Sequence, residues 1–72
     1  MTRMTPENRR EVILSAAVKI ASERGLIHVT HSAVAKRCVI ETSVKTVRHY
    51  FATQADLWRA IRDAAPEVDL GL

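Results

Sequence analysis

Residues 30–54 read Thr-His-Ser-Ala-Val-Ala-Lys-Arg-Cys-Val-Ile-Glu-Thr-Ser-Val-Lys-Thr-Val-Arg-His-Tyr-Phe-Ala-Thr-Gln. The stretch predicts two short helices on either side of a turn. Thr30 can cap the first, His31 to Cys38, in which Val34 and Cys38 fall four apart on one side. Ser43 can cap the second, Val44 to Phe51. Within it Val44, Val47 and Phe51 share a face by three-and-four spacing, and that face is expected to turn inward. Lys45 and His49 then point the opposite way, flanked by Thr46, Arg48 and Tyr50. So short a helix cannot stand alone, because nucleation costs more than a few residues recover. It must be held against a core while its polar face is offered outward, as in a recognition helix.

Upstream, Thr5-Pro6-Glu7 is a helix start: a capping hydroxyl, a proline at the first helical position and a carboxylate near the positive dipole end. The helix is expected from Pro6 to about Arg24, with Ile13, Ala16, Ala17, Ile20 and Ala21 as its buried stripe and Val12 and Leu14 on the flanks. Gly25 suits a left-handed stop. Arg9 and Arg10, on the first turns, are read as a solvated face in preference to phosphate contacts, and Arg3 sits on a short arm. The apolar residues of Leu26-Ile27-His28-Val29 are expected to plug the core.

Downstream, Thr53 with Asp56 three later resembles a capping box. A last helix should run from Gln54 to about Ala64, with Leu57, Ile61 and Ala64 inward and Trp58 packed on the flank, stopped by Pro66. The tail, 66–72, is expected to be loose. The fold class implied is all-α, one small bundle of four helices over residues 1–65. Seventy-two residues allow one domain at most, and so short a chain buries roughly 60% of its unfolded surface.

Charge narrows the function. The net charge is +3. The basic excess lies in residues 1–54, whose middle part holds all three histidines, whereas residues 55–72 are net acidic. A polyanion therefore fits the middle and not the end. The single cysteine, Cys38, excludes a disulfide framework and reads as a small buried residue. No apolar run is long enough for a membrane span, and the start lacks the apolar segment of a secretory signal, so a cytoplasmic setting is expected. An enzyme is not: Glu23, Asp56 and the histidines fall at helical positions with solvated or DNA-facing readings, and His28 has no nucleophile close in sequence. No metal or other cofactor is implied.

With these residues in view, the chain resembles the N-terminal DNA-binding domain of the TetR family of transcriptional regulators, over about residues 9–62. The likeness runs through Arg10, Ile13-Leu14, Ala16-Ala17, Ile20-Ala21, Glu23 and Gly25, then Val29-Thr30, Val34-Ala35 and Arg37. Its most specific part is Thr46-Val47-Arg48-His49-Tyr50-Phe51 followed by Thr53-Gln54-Ala55-Asp56-Leu57, similar to the family's Thr-Leu-Tyr-x-x-Phe-x-x-Lys-x-x-Leu. The resemblance implies a homeodomain-like headpiece whose second and third helices form a helix-turn-helix.

By position, the resemblance implies that Thr30 meets a phosphate and that His31 and Ser32 touch backbone or a base. Ser43, Val44, Lys45, Thr46, Arg48, His49 and Tyr50 fall on or cap the recognition helix, and Gln54 stands where the family has a phosphate-binding lysine. Two features differ from the family. The turn Cys38-Val39-Ile40-Glu41-Thr42-Ser43 is longer and lacks the family's glycine, and the helical ligand-binding and dimerising domain does not follow. The starting methionine and the acidic tail predict a complete small protein.

The function expected is a small regulator, a repressor by preference, that binds specific double-stranded DNA and self-associates on it, with no small-molecule effector. An origin in phages or mobile elements is an analogy. An architectural or recombination accessory protein, and a protein-interaction module on the same scaffold, are the alternatives.

Overall fold

The computed structural model describes residues 5–38, 40–68 and 71. Among these residues the chain is all-helical, with four α-helices and no strand: α1 Pro6–Arg24, α2 His31–Arg37, α3 Val44–Tyr50 and α4 Gln54–Ala64, with a 3₁₀ turn at Leu26–His28. The arm bearing Arg3 lies outside the described residues, as does Val39 in the connection before α3.

Each α-helix begins on a hydroxyl cap. Thr5, Thr30, Ser43 and Thr53 accept from the backbone N–H three residues on, at Asn8, Ala33, Thr46 and Asp56. Such a cap satisfies one of the orphan donors of the first turn and is worth about 1 kcal/mol. The helix starts are thus written locally, one hydroxyl at a time. α1 ends at Gly25, whose φ of 99° and ψ of 159° form a positive-φ conformation open to glycine, though its ψ is extended and not that of a left-handed helical residue.

The core is one cluster. Ile13, Ala16, Ala17, Ile20 and Ala21 face it from α1, Val34 from α2, Val47 and Phe51 from α3 and its cap, and Leu57 and Ile61 from α4. Leu26 and Val29 fill the space beneath the α1–α2 connection. Ile27 turns outward, because a three-residue 3₁₀ turn has one inner side and Leu26 and Val29 occupy it.

Two other inward assignments shift, and two helix ends. Val44 is 38% exposed although it shares the face of Val47. It is the first residue of α3, and side chains on a helix lean toward its N-terminus, so this one overhangs the exposed loop and not the core. Ala64 is exposed and Ala65 is buried in its place. The buried line of α4 therefore runs in steps of four, Leu57, Ile61 and Ala65, and the Ala65 N–H still reaches the Ile61 carbonyl at 2.7 Å. Cys38 and Phe51 are the residues that cap their helices and not the last helical ones.

The tail is not loose where it is described. The Val68 N–H donates to the Ala65 carbonyl at 3.2 Å, and its side chain is buried in the core cluster. Gly71, with φ of 83°, lies against the end of α1: a Cβ there would come within 2.5 Å of the Arg24 carbonyl oxygen.

Polar ties at helix ends complete the assembly. The His31 imidazole is buried and its Nε2–H donates to the Phe51 carbonyl at 2.7 Å, joining the start of α2 to the end of α3. The Val29 carbonyl accepts from both the Gln54 side-chain amide and the Trp58 indole N–H, joining α4 to the α1–α2 connection. Arg37 reaches from the end of α2 to Glu23 of α1 in a two-pronged ion pair at 2.8 and 2.6 Å. Cys38, expected to be buried, is half-buried; desolvation pushes its thiol above its ordinary range, opposed in part by a hydrogen bond with Thr42.

Two measurements check this packing. Phe51→Ala removes a buried ring on which α1 and α3 meet, and it should lower stability by about 3–5 kcal/mol in denaturant titrations followed by circular dichroism. The Arg37 guanidinium holds the Glu23 carboxyl below its ordinary range, so the pair stabilises the fold once the unfolded chain's carboxyl is also ionised. That contribution is present above the usual glutamate range and is lost as the pH falls through the depressed folded value. Glu23→Gln should therefore flatten the acid side of the stability–pH curve, by a small amount because the pair is exposed.

Candidate nucleic-acid interface

α3 owes its position to its inner side. Val47 is completely buried and Phe51 nearly so, and α2 packs along it. Its first turn is closed by the Ser43 hydroxyl, which accepts from the Thr46 N–H at 3.2 Å and shares a hydrogen bond with the Thr46 hydroxyl at 3.1 Å. In the loop ahead of it, the Thr42 hydroxyl donates to the Ile40 carbonyl at 3.1 Å.

The outer side is polar and cationic. Lys45, Arg48 and His49 are exposed, and Thr46 and Tyr50 are half-buried beside them. The His49 and Tyr50 rings meet edge to face at 5.1 Å between centroids, an arrangement that holds both rings in fixed relation. Val44, displaced from the core, adds an exposed isopropyl group at the near end of the same surface. This face therefore offers an ammonium, a forked guanidinium, ring and hydroxyl groups and a methyl-bearing surface within two helical turns.

The remaining residues expected at the interface divide. Ser32 and the capping Thr30 are exposed at the start of α2. His31 is not available in the same way: it is 8% exposed and its ring nitrogen is engaged by Phe51. Gln54 is half-buried with its amide turned to the Val29 carbonyl. Both side chains act as ties between elements, because each begins a helix whose neighbour ends in an open carbonyl, and a buried carbonyl without a donor is costly.

Arg9, read from sequence as a solvated residue, is exposed, and its position adds a neighbour that the sequence did not show. Arg9 of α1 lines a depression of about 330 Å³ together with Lys45, Thr46, His49 and Tyr50 of α3. Its neighbour Arg10 goes elsewhere, with its guanidinium stacked over the Phe51 ring at 5.0 Å. The signal lay in the period of α1. Arg9 and Arg10 fall four and three residues before Ile13, so they continue the buried stripe past the end of the core and onto α3.

Comparison of the chain with family models, with curated proteins and with solved structures gave no match. Among the described residues no helix is long and apolar enough to cross a membrane.

The separation of ties from surface groups has a measurable consequence. Gln54→Ala should lower stability by about 1 kcal/mol through the loss of one hydrogen bond to Val29. Salt titrations with any polyanion should keep the slope of the parent protein, since no phosphate contact is removed. A reduced slope with unchanged stability would return Gln54 to the interface.

Proposed function

We propose that the chain is a small sequence-specific regulator of transcription that binds double-stranded DNA, with α2, the connection 38–43 and α3 acting as a helix-turn-helix and α3 entering the major groove. The observation that carries this reading is the division of α3. Its inner side, Val47 with the capping Phe51, is fully buried, and its outer side presents Lys45, Arg48 and His49 with no carboxylate among them. A seven-residue helix held so firmly from behind, with a cationic front, suits insertion into a groove lined by phosphates. The resemblance of Thr46 through Leu57 to the TetR recognition segment supports the same reading.

Within it the groups have distinct tasks. The planar fork of Arg48 matches the two acceptors on the major-groove edge of a guanine. Val44 offers apolar contact to a thymine methyl group. Lys45, His49, Thr46 and Tyr50 supply donors to phosphates and base edges, and Thr30, Ser32 and Ser43 are hydroxyl groups at the margins. One such unit touches too little DNA to be selective, so two copies are expected to pair on neighbouring half-sites about one helical turn apart. The setting that goes with this function is the cytoplasm, and it requires neither a cofactor nor a small-molecule effector.

Selection of bound duplexes from a random pool tests the proposal. It should return one preferred sequence with two related half-sites. On that duplex the affinity should fall with salt at a log–log slope of about −4 per half-site for four or five phosphate contacts. Arg48→Ala should cost about 1–3 kcal/mol on the preferred site and relax the preference at one base pair. A flat salt titration would remove DNA from the account, and an equal loss on every single-base variant would make Arg48 a positioning group instead of a reader.

A further inference from the structure

We infer that the depression between α1 and α3 is a clamp for a single backbone phosphate, closed from the α1 side by Arg9, and that this clamp sets the angle at which α3 meets DNA. The inference rests on the DNA-binding reading above and adds a residue from outside the two-helix unit. Arg9, Lys45, Thr46, His49 and Tyr50 line one open depression of about 330 Å³. Its chemistry is selective: a guanidinium and an ammonium come from two different helices, with an imidazole, a phenol and a hydroxyl between them. No carboxylate lines it. That set suits a compact tetrahedral oxyanion, which accepts charge-assisted hydrogen bonds from several directions at once.

The neighbouring arginine shows why Arg9 is free for this. Arg10 stacks over the Phe51 ring and fixes α1 against the end of α3. Arg9, one residue earlier and exposed, stands beside the α3 surface instead. The helix spacing also separates tasks within α3. Lys45 and His49 stand four apart and line the clamp, whereas Arg48 does not line it and faces the other flank. Lys45 and His49 are thus assigned to positioning, and Arg48 with Val44 to reading.

The test uses the full chain, the preferred duplex, a scrambled duplex and a set of preferred duplexes each carrying one uncharged methylphosphonate linkage. Circular dichroism first establishes that Arg9→Ala melts like the parent protein, as expected for an exposed side chain. Arg9→Ala should bind every duplex about tenfold more weakly, keep the parent's base preference and lower the salt slope by about 1. At one linkage the methylphosphonate should weaken the parent protein but not Arg9→Ala, which identifies the clamped phosphate. Arg9→Lys should restore the slope and part of the affinity. Inorganic phosphate at concentrations that match the ionic strength of chloride controls should compete no better than chloride, because the clamp holds a phosphate presented by the duplex.

An Arg9→Ala protein with the parent's affinity and slope would overturn the clamp and leave the DNA-binding reading standing. So would a methylphosphonate series in which parent and variant lose equally at every linkage. A parent protein that binds no duplex would overturn both.

Discussion

Phe51 is the residue on which the arrangement of this small protein depends. Its ring is buried in the core and covered by the Arg10 guanidinium of α1, while its carbonyl takes the His31 imidazole N–H from the start of α2. Its own N–H closes α3 onto the Val47 carbonyl at 2.9 Å. One residue thus joins three helices through an apolar contact, a cation–π contact and a hydrogen bond. The need for such a junction follows from length: α2 and α3 have seven residues each, too few to be stable without tertiary support. A cavity at this point would loosen both short helices together.

Val29 plays the corresponding part at the other end. Its side chain is completely buried, and its carbonyl accepts from Gln54 and Trp58 of α4. A carbonyl oxygen has two lone pairs, so a single backbone group can bind two side chains. α4 is tied in this way to the connection between α1 and α2, and its apolar line of Leu57, Ile61 and Ala65 closes over α1. The chain beyond Ala65 then returns to the same end of α1, with Val68 in the core and Gly71 against Arg24 and Gly25.

What could be read from the sequence was what is written locally. The four hydroxyl caps, the stop at Gly25 and the buried stripe of α1 each depend on residues within one turn of one another, and all stand where spacing puts them. Val44 went astray because helical period gives a direction around an axis but not where the core ends along it, Ala64 because the buried line of α4 runs in steps of four to Ala65, and Ile27 because its short turn has one inner side. The internal hydrogen bonds of His31 and Gln54 could not be read for another reason. Their partners, Phe51 and Val29, are twenty and twenty-five residues distant, so nothing nearby in sequence shows that a carbonyl waits for them. The exposed face of α3 was legible, since Lys45 and His49 stand opposite Val47 by spacing alone and Arg48 flanks them. Arg9 was legible as an exposed residue, but that α3 would lie beside it was not.

The two adjacent arginines of α1 show how closely structure and surface chemistry are joined in so small a protein. A guanidinium over an aromatic face gains from the ring quadrupole and keeps its edge donors in water, so Arg10 can help to hold α3 without burying a charge. The buried stripe of α1 sets its helical phase, Arg10 meets Phe51 at the end of that stripe, and the same phase places Arg9 at the margin of the polar surface. A lysine at position 10 would keep the charge but lose the guanidinium over the ring. The polar surface of α3 is therefore shaped by a contact on its own inner side, and the geometry offered to a ligand is inherited from the packing of Phe51.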